Sequence, residues 1–342
     1  MISEPHVLSS AARSLWAKSD RGAGERWLPL FVHLCDTAAM GERLWDRWLS
    51  QGAREAVAIA FEGDAELART VTIFLCAAHD IGKATPAFQA KRIAAGPDGI
   101  ASLAWVPERA GLSVRAGVNA SRPTHPISGE VILRRYLVEA GVCHRVSWSL
   151  GSVVGAHHGN PSRDVDILDA LDHAKRMGFA GAGDEGEAPW EAVQTELIDL
   201  ARKLSGLTDD VLTRLDGCSV GAPFASIIAG LIIMADWLAS NERFFPAFEP
   251  IGSDGGFVRA GCVDLSALAL RASRGWAKAG IIPSWQQSVA HAIRPEDFQD
   301  RFELPQGAAI RAVQRRAIEA AWSMDEPGML VIEAPMGEGK TE

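Results

Sequence analysis

Apolar side chains recur every three or four residues along several stretches of the chain, and this spacing is typical of helices that bury at least one face. The clearest stretch is 27–49, and the last long one, 222–241, is apolar almost throughout. Gly82 follows the second stretch and is predicted to end that helix. The pattern predicts helices over 27–49, 66–79, 126–140, 145–158 and 222–241. We therefore predict a mainly α fold.

The character of the chain changes at about residue 250. A Gly-rich stretch comes first, a short helix is predicted over 264–279, and a helix over 309–322 precedes an apolar strand, GMLVIEAP, at 328–335. A helix followed by a buried strand indicates an α/β portion. We predict a helical domain over 1–250, a linker over 251–295 and the first part of an α/β domain over 296–342, with irregular segments at 90–124 and 178–190.

Composition narrows the class of protein. The 342 residues are 47% hydrophobic, which is enough for one large core or two domains. No apolar run reaches the about 18 residues of a membrane span, and the first twenty residues lack a secretory signal. We therefore expect a cytoplasmic protein with no membrane segment. The five cysteines form no CxxC pair, so we predict reduced thiols rather than disulfides or a zinc ribbon.

The net charge limits how the chain could bind nucleic acid. The formal charge is −9 and the pI is about 5.5. Phosphate binding over a broad surface needs an excess of Lys and Arg, so this class of nucleic-acid binding is excluded. Any contact with DNA is expected to be local or to depend on a partner protein.

Seven potential metal ligands lie at the ends of the predicted helices or inside them. They are His33, His79, Asp80, His125, His157, His158 and Asp236. Each has a structural explanation when taken singly; His33, for example, could form a core hydrogen bond with Asp36. Together they form a set that a helical bundle can bring to one interior site. Imidazole and carboxylate suit a transition metal of the class of iron, manganese, cobalt, nickel or zinc.

The number of these ligands exceeds what one ion needs. An aspartate shared by two ions about 3.5–4 Å apart would use all seven, and two such ions stabilise the attacking and leaving oxygens in phosphodiester hydrolysis. We therefore predict two divalent transition-metal ions and the metal-assisted hydrolysis of a phosphate ester.

Three of the segments that carry these residues resemble known motifs. HDIGKA (79–84), AHHG (156–159) and ADWLASNE (235–242) are similar to motifs of the HD phosphohydrolase superfamily. Over about residues 20–245 the chain resembles, more closely, the HD nuclease domain of the helicase-nuclease of type I CRISPR systems. The resemblance implies an HD-type helical bundle that cleaves single-stranded DNA and is recruited to an RNA-guided, Cascade-like surveillance complex. It extends to the end of the chain, where it implies the first part of a RecA-like helicase domain.

The resemblance also implies a role for each ligand. One ion would be held by His33, His79, Asp80 and Asp236, and the other by Asp80, His125, His157 and His158, so that Asp80 is shared. Asp80 and Lys83 are the expected catalytic residues. Two interpretations of Lys83 are open: its ammonium contacts a substrate phosphate or a carboxylate beside the metals, or its stem packs while its charge reaches solvent.

The segment IEAPMGEGKTE at 332–342 matches the helicase form of the Walker A phosphate loop. In that resemblance, nucleotide is bound by Gly337, Gly339, Lys340 and Thr341, and adenine is recognised by Gln314. The helix that completes a phosphate site and the acidic motif that holds magnesium do not follow in this sequence. We therefore expect magnesium and ATP to bind only in a complete helicase, and this chain not to hydrolyse ATP.

Two other functions fit the same ligands. The first is an HD phosphohydrolase that acts on free nucleotides; the helicase segment argues against it, because a motor is useful for feeding a polymer to the site. The second is a docking module whose metals are structural and which performs no hydrolysis. A DNA nuclease is the leading hypothesis.

Overall fold

The structure, a computed structural model, describes residues 6–19, 26–90, 103–114, 123–178, 188–282, 310–324 and 329–335. These residues are mainly helical, which confirms the predicted fold class. The helices are α1 Ser10–Arg13, α2 Leu30–Arg47, α3 Gln51–Ile59, α4 Ala65–Ala78, α5 Pro86–Gln89, α6 Trp105–Arg109, α7 His125–Glu139, α8 His144–Gly155, α9 Asp164–Asp172, α10 Ala188–Ser205, α11 Asp209–Thr213, α12 Ala222–Ala239, α13 Leu265–Ala279 and α14 Ala312–Trp322.

Five short strands accompany the helices. They are β1 His6–Val7, β2 Trp16–Ser19, β3 Trp27–Pro29, β4 Val258–Arg259 and β5 Cys262–Val263. They form two small antiparallel sheets, one in the order β1-β5-β4 and one of β2 and β3. Because β3 runs directly into α2, the first predicted helix begins at Leu30 rather than at residue 27.

The helix boundaries follow from local chemistry. The Asp64 side chain accepts a hydrogen bond of 2.8 Å from the Leu67 backbone nitrogen and so caps the start of α4. Asp264 caps α13 in the same way through the Ala267 nitrogen, at 2.9 Å. That helix ends at Gly280, whose φ of 62° lies in the left-handed region that favours glycine. The predicted helix over 264–279 is therefore confirmed.

Helix α2 lies at the centre of the bundle. It packs against α4, α10, α12 and α13, while α7 packs against α8. Phe31, Leu34 and Leu44 of α2 and Phe74 of α4 are almost completely buried, and each contributes about 1.5–3 kcal/mol of transfer free energy. Helix α12 is long and apolar enough to cross a membrane by length and composition alone. We interpret it as a core helix, because it packs against α2, α4 and α8 within the bundle.

A buried ion pair joins α2 to α13. The Arg271 guanidinium Nε lies 3.0 Å and 3.2 Å from the two carboxylate oxygens of Asp36, and its Nη1 donates to the Pro246 carbonyl at 3.1 Å. Burial raises the pKa of the Asp36 carboxyl to about 7, although Arg271 opposes the rise. Asp36 therefore pairs with Arg271, and not with His33 as the sequence allowed.

A close backbone crossing sets the position of α7. The 3₁₀ turn Ile81–Lys83 passes the first turn of α7 so closely that a Cβ atom at Gly82 would overlap the His125 carbonyl oxygen. The prediction that Gly82 ends the preceding helix is wrong: α4 ends at Ala78, and Gly82 has no positive φ. Glycine is needed here because only a residue without a side chain allows this approach.

The chain divides into two compact units. The first contains Met1–Arg47 and Ala53–Ile281, and the second contains Trp48–Gly52 and Ile282–Glu342. The first half of the predicted linker carries β4, β5 and α13, which is packed on α2. In the second unit, the predicted helix over 309–322 is present as α14, whereas the described residues 329–335 form no strand. The predicted domain limits and the RecA-like assignment stay predictions.

Two groups of sequence predictions fall largely outside the described residues. Most of the irregular segments predicted at 90–124 and 178–190 lie there, but the described residues 103–114 contain α6, and 188–190 form the start of α10 rather than a loop. The phosphate-loop residues Gly337, Gly339, Lys340 and Thr341 also lie outside the described part of the chain. The described cysteines are free thiols, and Cys35, Cys76 and Cys218 are buried.

We predict that Gly82→Ala lowers the free energy of unfolding by about 1–3 kcal/mol, because a methyl group would force the turn away from α7. Urea denaturation followed by circular dichroism measures this change. The matched control is Gly230→Ala in α12, where a Cβ atom meets open space. The control is expected to be as stable as the wild type or up to about 1 kcal/mol more stable, since alanine has the higher helix propensity. Equal stability of the two variants would contradict the prediction.

We predict that Arg271→Ala costs about 3–5 kcal/mol of stability at pH 8.5, since it leaves a buried carboxylate without its partner. Without Arg271 the folded-state pKa of Asp36 rises above about 7, and the folded-state pKa then exceeds the unfolded one by more than in the wild type. The loss of stability therefore grows as pH rises above about 7. Urea denaturation at pH 6 and pH 8.5 tests this, with exposed Arg274→Ala on the same helix as control. A loss that is the same at both pH values would overturn the explanation.

Candidate metal centre

The bundle brings the seven predicted ligands together. Their donor atoms form two groups, and within each group all atoms lie within 4.8 Å of one another. The groups are His33, His79, Asp80 and Asp236, and His125, His157 and His158. Of these side chains, His33, His79, Asp80 and His157 are buried. These are the two ligand sets that the resemblance implies, except that Asp80 is counted here only in the first.

The first group surrounds two carboxylate oxygens. His33 Nε2 lies 3.0 Å from Asp80 Oδ2 and 3.3 Å from Asp236 Oδ1. His79 Nε2 lies 3.3 Å and 3.6 Å from the same two oxygens. Two imidazole nitrogens and two carboxylate oxygens therefore face one small space.

The second group lies against the other oxygen of Asp80. His125 Nε2 is 3.5 Å and His157 Nε2 is 3.6 Å from Asp80 Oδ1. His158 Nε2 is 3.0 Å from His125 Nε2. Each oxygen of Asp80 thus faces a different group of imidazoles, and the Asp80 carboxylate connects the two groups.

Helix ends position most of these side chains. His79 and Asp80 follow α4, His157 and His158 follow α8 after one residue, and His125 is the first residue of α7. The ring nitrogen Nδ1 of His79 lies 2.9 Å from the Cys76 carbonyl, and His157 Nδ1 lies 2.6 Å from the Val154 carbonyl. A carbonyl only accepts hydrogen bonds, so we assign the proton to Nδ1 in both rings. The Nε2 lone pairs of these rings are therefore left for a ligand.

The donor set fits bound cations. The buried atoms that have no hydrogen-bond partner among the described residues include four that face this cluster: His33 Nε2, His79 Nε2, His157 Nε2 and Asp80 Oδ1. Buried polar atoms are normally paired, because an unpaired one loses its hydration without compensation. Imidazole nitrogens that converge with carboxylate oxygens and lack hydrogen bonds are suited to hold divalent transition metals.

The electrostatics of the cluster favour ionised carboxylates. Burial opposes the charged form of His79, but the carboxylates of Asp80 and Asp236 outweigh it and raise the pKa of His79 to about 9. Burial dominates at His157, lowering its pKa to about 4, and at His125, lowering its pKa to about 2. Burial also opposes ionisation of both aspartates, yet Lys83 and His79 hold the pKa of Asp80 well below its usual range, and the close imidazole nitrogens of His33 and His79 do the same for Asp236. Ionised carboxylates and neutral imidazoles are the forms that bind metals, so His79 would release its Nε2 proton when an ion binds.

Lys83 is buried beside the shared carboxylate. Its Nζ lies 2.5 Å from Asp80 Oδ2 and 5.6 Å from the centroid of the Phe88 ring. Of the interpretations that the sequence left open, this geometry favours the contact with a carboxylate, since Lys83 is only 7% exposed and does not extend its charge into solvent.

Two further residues support the site, and sequence reasoning missed both. The Ser240 hydroxyl donates to Asp236 Oδ1 at 2.6 Å, and its spacing of four residues along α12 was the only available signal. The Gln89 side chain is completely buried and joins the Lys83 carbonyl to the backbone of β2. No sequence signal could have indicated Gln89, because Trp16, its partner in β2, is 73 residues away.

Gln314, the predicted adenine-reading residue, lies in the first turn of α14. Its Oε1 accepts a hydrogen bond of 3.0 Å from the Arg311 backbone nitrogen and so caps the helix. Its role in nucleotide binding stays a prediction.

Comparisons with known proteins identify the family. A family model described as "Cas3, HD domain" matches residues 16–245. The CRISPR-associated nuclease/helicase Cas3 of Streptococcus thermophilus is 31% identical over 343 residues, covering 96% of this chain and 34% of that protein. The CRISPR-associated endonuclease/helicase Cas3 of Thermus thermophilus is 30% identical over 342 residues, covering 98% of this chain and 32% of that protein. The chain thus spans about a third of the length of these curated relatives.

Solved structures share the fold. A crystal structure of a CRISPR-associated protein has a TM-score of 0.71 at 28% identity and covers 99% of this chain and 34% of its own. The Thermus thermophilus Cas3 HD domain, crystallised in the presence of Ni²⁺, has a TM-score of 0.51 at 23% identity over 82% of this chain and 96% of its own, which shows the fold alone. A CRISPR RNA-guided surveillance complex, pre-nicking, contains a chain with a TM-score of 0.50 at 25% identity, over 82% of this chain and 30% of its own. Because the family model matches most of the chain, the protein belongs to the Cas3 HD-domain family.

Proposed function

We propose that this chain is a metal-dependent nuclease that hydrolyses phosphodiester bonds of single-stranded DNA in CRISPR interference. The observation that carries the proposal is that seven imidazole and carboxylate side chains form two adjoining groups, with four imidazole nitrogens 3.0–3.6 Å from the two oxygens of Asp80. Two relatives that carry nuclease in their names support the same reaction class.

We propose two divalent ions of the iron, manganese, cobalt, nickel or zinc class. One would be bound by His33, His79, Asp80 and Asp236, and the other by Asp80, His125, His157 and His158. The excess of imidazole over carboxylate argues against magnesium or calcium, which prefer oxygen ligands. The related HD domain crystallised with Ni²⁺ is consistent with this class of ion.

When bound, the two ions would supply a water of lowered pKa and positive charge for the phosphate oxygens. The chain's own residues orient the ligands. Lys83 holds the Asp80 carboxylate through an ion pair, and Ser240 holds Asp236 through a hydrogen bond. The backbone carbonyls of the helix ends hold the rings of His79 and His157 in one tautomer. Asp80 and Lys83 are the proposed catalytic residues.

We propose that an RNA-guided surveillance complex recruits the nuclease to its DNA. The net charge of −9 disfavours tight independent binding to duplex DNA, so a protein partner is the more effective route. A related chain that occurs in a CRISPR surveillance complex supports such a partner. Nucleotide binding by Gly337, Gly339, Lys340, Thr341 and Gln314 is proposed only for a complete helicase.

We predict that the purified chain, loaded with manganese, cobalt, nickel or iron, cleaves a single-stranded oligonucleotide and leaves free nucleoside triphosphates intact. Gel electrophoresis and nucleotide chromatography measure the two reactions. Asp80→Ala is expected to lower DNA cleavage by at least about 1,000-fold, because it removes the ligand common to both ions. Faster hydrolysis of nucleotides would favour the phosphohydrolase alternative. A metal-loaded chain that cleaves neither substrate would favour the docking module.

We predict two bound ions per wild-type chain by elemental analysis after dialysis. His158→Ala and Asp236→Ala are each expected to retain about one ion, since each removes a ligand from a different group, and Asp80→Ala is expected to retain none. The control is His173→Ala, whose ring binds the Asp169 carbonyl outside both groups and whose loss should leave two ions. A single ion in the wild type would contradict the two-metal assignment.

A further inference from the structure

A lysine of strand β2 lies close to the metal centre and has no role in the description so far. In the antiparallel pair of β2 and β3, Lys18 is opposite Leu28, and β3 continues into α2, which carries His33. The strand pairing therefore connects the segment that carries Lys18 directly to the helix that carries the first ligand of the metal site.

Contacts of buried side chains attach β2 to the segment that carries Lys83. Gln89 Nε2 donates to the carbonyl oxygens of Trp16 and Lys83, at 3.0 Å and 2.8 Å, and Gln89 Oε1 accepts from the Trp16 nitrogen at 3.3 Å. The Trp16 ring lies 4.6 Å from the Phe88 ring, which in turn lies 5.6 Å from the His125 ring. The backbone of Lys18 is thus held at a defined place beside the ligands.

The Lys18 ammonium is in the electric field of the two aspartates of the site. Asp80 and Asp236 both act on it electrostatically, and so does Lys83. Burial, and then the charge of Lys83, lower the pKa of Lys18, while the carboxylates of Asp236, Asp80 and Glu242 oppose them. The Lys18 side chain is half-buried, and its ammonium makes no hydrogen bond or ion pair with the residues that the structure describes.

The two lysines of the site therefore differ in what they can bind. The Lys83 ammonium lies 2.5 Å from Asp80 Oδ2 and is occupied by that contact. The Lys18 ammonium interacts electrostatically with Asp80 and Asp236 but forms an ion pair with neither. A partly desolvated ammonium beside a hydrolytic centre binds a phosphate oxygen more strongly than the same group in water, because the local dielectric constant is lower.

We propose that Lys18 binds a non-bridging phosphate oxygen of the DNA strand at the metal centre. This rests on the proposed nuclease function and names a substrate contact within it. Strand β2 would then supply one positive charge to a phosphate whose other contacts come from the helical bundle. The alternative is a purely structural lysine whose stem packs on β2 and whose charge is solvated.

The test compares Lys18→Met, which keeps the length of the aliphatic stem, with Lys18→Arg, which keeps the charge. The matched control is Lys278→Met, which removes the same charge from an exposed position on α13. Steady-state cleavage of a single-stranded oligothymidine by the manganese-loaded chain gives kcat and KM. Binding of the same fluorescent strand is measured by anisotropy from 50 to 300 mM NaCl in an Asp236→Asn background, where cleavage is blocked. Elemental analysis and the thermal midpoint are recorded for each variant.

For Lys18→Met we expect KM to rise about tenfold and the slope of log Kd against log salt to become shallower by about 0.7, the value for one lost phosphate contact on a single strand. Lys18→Arg should keep the slope and stay within about threefold of the wild-type KM, and Lys278→Met should match the wild type. Metal content should be the same in Lys18→Met, Lys18→Arg and Lys278→Met as in the wild type.

Three results would overturn the proposal. In the first, Lys18→Met keeps both the wild-type KM and the wild-type salt slope while the wild type cleaves DNA, so this inference fails and the nuclease function stands. In the second, Lys18→Met binds less metal or has a lower thermal midpoint than the wild type, and Lys18→Arg shows the same change. The lysine is then structural. In the third, the metal-loaded wild type neither binds nor cleaves the strand, and the proposed function fails together with the inference.

Discussion

One buried carboxylate determines the arrangement of the bundle. Asp80 is only 2% exposed, and four imidazole nitrogens lie 3.0–3.6 Å from its two oxygens. Burying a charge costs several kcal/mol unless partners compensate for the lost hydration, so the helices that carry those partners must meet at this point. The Lys83 ammonium, from the turn that follows Asp80, also compensates the carboxylate for its lost hydration.

Helix ends and close backbone contacts make this meeting possible. Ligands at the ends of α4 and α8 and at the start of α7 enter the site from different directions, which lets two groups of donors share one aspartate. The lack of a side chain at Gly82 lets the turn after α4 approach α7 closely. One turn along α2 from His33, the ion pair of Asp36 with Arg271 holds the helix against α13. The geometry of the metal centre therefore depends on the same helix packing that forms the bundle.

For the proposed nuclease, a net charge of −9 poses the question of how an acidic chain would bind DNA. A local answer is consistent with the structure, because Lys83 lies beside the ligand groups and Lys18 is in the electric field of their aspartates. Lys83 is committed to the shared aspartate, and Lys18 approaches from an N-terminal strand outside the HD motif itself. In the proposed function, a partner protein would bring the chain to its DNA, and the metal centre would hydrolyse the phosphodiester bonds.

The sequence by itself determined the helices and the identity of the seven side chains that the bundle brings together. Helical periodicity predicted α2, α4, α7, α8 and α12 to within about three residues, because the pattern of burial along one helix is local. The types and order of the histidines and aspartates pointed to a shared-aspartate metal site before any distance was known. The tertiary structure decided which oxygen of Asp80 faces which group, why Gly82 is required, and that Gln89 joins β2 to the site. These features depend on contacts between residues far apart in the chain, and such contacts leave no periodic signal in the sequence.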